Sequence, residues 1–192
     1  MTAMRARKTK IYENKNGGGG YGNRGLAGDR HALLSIAAVD AESGEAFHAL
    51  IRPSADWIVE AGALEVNGLT LDFLRDAGRA ESVVMTDFQL WMDARRGAMV
   101  AGCNVAFDLG FLDAAAKRCG LKWQAGRSLD IRGAAWLAYE TKGLKLAIGK
   151  DGNPKLSLDS IAGALGLSRT SEKHNALEDA LLTLACFREL LG

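Results

Sequence analysis

The chain has 192 residues, of which 48% are hydrophobic and 24% charged, the makeup of one globular domain with a real core. No apolar run approaches the eighteen or so residues that span a bilayer, so no membrane partner is expected. The net charge of +1 hides an uneven distribution: residues 1–30 carry a net +5 and the remainder a net −4. The body therefore lacks the basic excess of a broad nucleic-acid-binding surface.

The basic start, "MTAMRARKTK", is not followed by an apolar segment of the kind a secretory leader needs. Three widely spaced cysteines, Cys103, Cys119 and Cys186, form no CxxC pair and read as reduced thiols without a zinc site. Both features lead us to expect a cytoplasmic protein.

From His31 on, the pattern is legible. "ALLSIAAVD" and "EAFHALIRP" predict two strands joined in a hairpin, with Gly44 at the turn. "LTLDFLRDAG" and "ESVVMTDFQLWMDARRG" have helical spacing, with Val84, Phe88, Trp91 and Met92 on one stripe. "AMVAGCN" is a short apolar run that predicts a strand covered on both faces. A helix is expected to start directly after Asp108 and to stop at Gly120. "SLDIRGAAWLAYE" predicts a strand turning into a helix, and "LSLDSIAGALG" a short helix closed by Gly166. The last helix, Ala176 to Leu191, begins behind Asn175 as N-cap, with Glu178 completing a capping-box-like pair. Strands alternating with helices predict an α/β layered domain.

Two stretches carry chemistry. In the last helix Asp179 heads an apolar row shared with Leu182, Cys186 and Leu190, so it is a carboxylate at the end of a covered face. Such a group needs a partner or a cation. The ordinary reading is an aspartate favoured by the helix dipole, beside a solvated His174. In "AGCNVAFDLGF", Asp108 stands at a strand-to-helix junction, where α/β sheets place ligand sites. Its ordinary reading is a helix cap.

Taken together, "NVAFD" (Asn104 to Asp108) and "HNALED" (His174 to Asp179) resemble the second and third motifs of the DEDDh 3′→5′ exonucleases. "ALEVNGLT" and "LSLDSIAGALGL" resemble further segments of that family, and the likeness runs from about Leu26 to the C-terminus. The resemblance implies an α/β ribonuclease H-like fold, a mixed central sheet of about five strands flanked by helices. It implies Asp108 and Asp179 as metal ligands, His174 as general base, and Asn104, Phe107 and Asn67 near the substrate. Asn67 stands where many relatives carry a histidine. The implied cofactors are two divalent cations, Mg²⁺ or Mn²⁺, held by four carboxylates and acting on a phosphodiester. The implied partners are 3′ ends of single-stranded DNA or RNA, with a second copy of the chain or a polymerase as protein partner. The alternative is an impaired module that keeps the fold and binds nucleic acid or a protein.

The family's first motif, Asp-x-Glu-Thr-(Thr/Ser)-Gly, closes the first strand. Counting back from His31, its two carboxylates fall on Gly20 and Gly22. Aligning "YENKNG" instead puts Glu13 and Lys15 there, a cation in place of a ligand. As a phosphate loop the glycine run lacks the Gly-Lys-Ser/Thr ending; as a linker or an RNA-binding tail it remains open. Gly17–Arg24 can be encoded as GGT GGT GGT GGA TAC GGA AAC CGG, a string that, read one base later, spells Val-Val-Val-Asp-Thr-Glu-Thr-Gly. We therefore expect residues 1–25 to be an atypical, out-of-frame segment replacing the first strand, and residues 26–192 to be the exonuclease domain.

Overall fold

Five strands, β1 (Thr9–Asn14), β2 (Ser35–Asp40), β3 (Ala46–Leu50), β4 (Met99–Gly102) and β5 (Ser128–Asp130), form one mixed sheet in the computed structural model. Their order is β3-β2-β1-β4-β5. The structure describes residues 30–95, 99–123, 126–171 and 173–192, and the backbone of 9–14.

The β2–β3 hairpin forms as expected. Gly44 takes φ 77°, its N–H bonds to the Asp40 carbonyl, and Asp40 Oδ1 accepts from the Glu42 N–H at 3.0 Å. Side chains on β2 alternate between two cores. Ile36 and Ala38 face α3 (Glu81–Asp93) and α4 (Val105–Arg118), whereas Ala37 and Val39 face α5 (Ile131–Lys142), α6 (Leu158–Ala164) and α7 (Ala176–Leu191). In β4, Val100 and Ala101 divide in the same way. A strand enclosed by helices on both faces loses its polar positions. Two short helices, α1 (Ala61–Asn67) and α2 (Leu71–Ala77), cover a smaller third core around Leu34 and Leu74. No helix among the described residues is long and apolar enough to cross a membrane.

β1, at the centre of the sheet, comes from Thr9–Asn14, inside the segment assigned to an atypical N-terminus. It runs antiparallel to β2, with Glu13 opposite Ala37, and parallel to β4, with Ile11 opposite Ala101. This is the "YENKNG" alignment; Gly20 and Gly22 lie outside the described residues. The physical reason is backbone satisfaction. The inner edges of β2 and β4 need a strand between them, and Thr9, Ile11 and Tyr12 suit extended backbone far better than a glycine run.

Candidate active site

At the end of β4 the chain enters α4 through Asn104, whose backbone is left-handed (φ 64°, ψ 37°). Asn104 is the N-cap by position, but its side chain makes no capping bond. Its N–H instead donates to Asp130 Oδ1 at 3.2 Å, and the same oxygen accepts from the Arg132 N–H at 3.0 Å to cap α5. One carboxylate thus ties two strand-to-helix junctions together. Sequence reasoning passed over Asp130, although a strand-ending aspartate before an apolar helix is a recognisable cap.

The helix begins at Val105, not after Asp108, so Asp108 lies inside the first turn and not at the cap position. The left-handed turn at Asn104 starts the helix early and rolls Asp108 inward, where it is buried alongside Val105, Phe111 and Leu112. Phe107 is half-buried, its ring centroid 5.0 Å from that of Phe111, at the edge of the α3–α4 core.

Asn175 caps α7 as expected, accepting from the Leu177 and Glu178 N–H groups at 2.9 and 3.3 Å. Glu178 does not complete the box. It turns away from the helix to accept from the N–H and hydroxyl groups of both Thr170 and Ser171. These side-chain and backbone hydrogen bonds hold its carboxyl down at about 2. Four donors on a preceding turn outcompete one backbone N–H.

That clamp positions Arg169. Its Nε lies 2.6 Å from Asp159 Oδ1, and its Nη1 contacts Oδ1 of Asp179, a carboxylate with no exposed surface. His174 Nδ1 lies 3.6 Å from the other Asp179 oxygen. Burial, followed by the nearby Arg169 charge, pushes the His174 pKa below its ordinary value, so the ring is neutral at pH 7 and able to accept a proton. The His174 N–H bonds to the Val66 carbonyl at 3.1 Å, and Lys173 Nζ to that of Glu65 at 3.2 Å. The structure therefore gathers His174, Asp179 and the α1 terminus bearing buried Asn67 into one neighbourhood. Arg169 and Asp159 were missed, because nothing local in "LSRTSEKH" reveals which carboxylate its arginine reaches.

Asp108 and Asp179 belong to helices that pack on opposite faces of the sheet, and both helices pack against β1. Divalent cations in such a place need several oxygen ligands. Among the described residues no three His, Cys, Asp or Glu side chains are grouped to hold a metal, and Asp179 already faces a guanidinium. The described residues thus do not fit a two-cation centre.

The exonuclease family model RNase_T matches residues 24–187. The DNA polymerase III subunit epsilon of Pasteurella multocida (strain Pm70) is 27% identical over 167 residues, which cover 84% of this chain and 60% of that protein. Among solved structures, E. coli Exonuclease I in complex with a dT13 oligonucleotide superposes with a TM-score of 0.78 at 20% identity, covering 95% of this chain and 40% of that one. A moderately thermophilic Exonuclease I from Methylocaldum szegediense gives a TM-score of 0.75 at 21% identity, covering 95% and 40%. The chain thus spans about 60% of the epsilon subunit and about 40% of each Exonuclease I.

Proposed function

Since the chain belongs to the DEDDh 3′→5′ exonuclease family of the ribonuclease H-like superfamily, we propose that its site hydrolyses phosphodiester bonds at the 3′ end of single-stranded DNA or RNA. The observation that carries this reading is His174 beside buried Asp179 at the head of α7. A neutral imidazole there can take a proton from water, and Asn67, Asn104 and Phe107 are the residues we assign to the nucleic-acid end. Mg²⁺ or Mn²⁺ would supply the Lewis-acid chemistry of such a reaction; Asp108 and Asp179 are the carboxylates we assign to it, too few among the described residues to hold a pair of ions.

The oligonucleotide-bound Exonuclease I structures support a single-stranded substrate, and the epsilon relative supports a polymerase as protein partner. A second copy of the chain is the other protein partner we propose.

The test is digestion of 5′-labelled single-stranded DNA and RNA in Mn²⁺. We expect slow shortening from the 3′ end, abolished by Asp108→Asn, Asp179→Asn and His174→Ala. Internal cuts, or equal activity in chain and variants, would overturn the proposal. The second reading, a module that binds nucleic acid without cleaving it, is favoured by the Arg169 contact with Asp179. It predicts retention of the labelled strand with no shortening at all.

A further inference from the structure

The central strand disagrees with the site it serves. β1 is hydrogen-bonded to β2 on one side and to β4 on the other, and both α7 and α4 pack against it. A strand enclosed in that way is ordinarily a continuous apolar run. Thr9–Asn14 reads Thr-Lys-Ile-Tyr-Glu-Asn, with four of its six positions polar. The family match begins only at residue 24, beyond this strand. At the site itself, the buried carboxylate of Asp179 is met by a guanidinium.

We infer that the gene encodes an apolar strand ending in Asp-x-Glu in place of Gly17–Arg24, and that residues 1–24 are the neighbouring reading frame of the same nucleotides. The inference rests on the exonuclease reading for its carboxylates; the polarity of Thr9–Asn14 calls for an apolar strand independently. The shifted codons place three valines at positions 17 to 19, an aspartate at position 20 and a glutamate at position 22, without changing the spacing to His31.

One more G restores the frame. If Arg24 is written CGG and Gly25 GGC, codons the genetic code allows for these residues, the two share a run of four G. A fifth makes the shifted frame read Thr-Gly-Gly-Leu and rejoin the chain at Leu26. The frame also stays open upstream: TAT GAA AAT AAA AAC for Tyr12–Asn16 reads Met-Lys-Ile-Lys-Thr one base later. Lys-Ile-Lys-Thr-Val-Val-Val-Asp provides an apolar strand that delivers carboxylates to its C-terminal end. That end is shared with β4, because the two strands are parallel, and α4 with Asp108 follows β4 directly.

Resequencing genomic DNA across codons 10–30 decides the frame without reference to activity. One added base that brings Val-Val-Val-Asp-Thr-Glu-Thr-Gly into frame with Leu26 is the expected result; if no frame there encodes Asp-x-Glu, the inference is overturned. As a second readout, the present chain and the restored one are melted with Mn²⁺ and with EDTA. Mn²⁺ should raise the melting temperature of the restored chain by several degrees more than that of the present chain. An equal response in the two chains overturns the inference. A restored chain that binds Mn²⁺ but shortens no strand refutes the exonuclease reading and leaves the frame intact.

Discussion

The guanidinium of Arg169 lies between two carboxylates, Asp159 on the exposed side and Asp179 within the core. The Arg169 side chain is 10% exposed and that of Asp179 0%. Removing one member of such a buried pair strands the other charge, which costs about 3–5 kcal/mol. Arg169→Met should therefore lower stability by about 3 kcal/mol, and Asp179→Asn should recover part of that loss when added to Arg169→Met. Urea denaturation of the four proteins measures the coupling; strictly additive effects would show that the two groups do not hold one another.

Asn104 separates a conformational role from a chemical one. Its left-handed backbone (φ 64°) suits glycine and is tolerated by asparagine. Asn104→Gly should keep stability within a few tenths of a kcal/mol, while Asn104→Val should cost about 1–2 kcal/mol. If the side chain also meets the nucleic-acid end, Asn104→Gly will retain its fold and lose activity. Thermal melts alongside strand-shortening assays distinguish these roles.

Asp40 gives the fold an acid-side dependence far from the site. Burial acts to raise its pKa, but hydrogen bonds from the Glu42 and Ser43 N–H groups and the Arg95 guanidinium, 2.9 Å away, lower it overall. A depressed carboxylate stabilises the folded state above its unfolded value of 3.8 and loses that contribution as the pH falls through its folded value. Asp40→Asn should accordingly narrow the stability gap from the parent chain as the pH drops below about 4. Melting temperatures between pH 3 and 7 check this, and a gap that widens in acid would contradict it.

Glu178 holds the turn that delivers Arg169. Glu178→Ala removes the acceptor for the Thr170 and Ser171 N–H groups, and amide exchange at both should quicken by about fivefold, the scale of an exposed charge-assisted bond. Hydrogen–deuterium exchange resolved to those residues tests the effect. An unchanged rate would mean that other contacts fix the turn.

Several elements were legible because their causes are local. Gly44 between two alternating runs announced the hairpin, and Asn175 before an apolar row announced the start of α7. His174 and Asp179 stand on one turn and one helix, so their spacing along the chain nearly settles their spacing in space. Tertiary structure decided the rest. Asp130 reaches across from β5 to Asn104 at the head of α4, and Glu178 abandons its own helix end for Thr170 and Ser171. Arg169 finds Asp179 from ten residues away, and β2 and β4 take Thr9–Asn14 between them. Turn chemistry and periodicity are properties of consecutive residues. Which donor meets a buried carboxylate, and which segment completes a sheet, depends on which backbone and charge would otherwise go unmatched once the layers have packed.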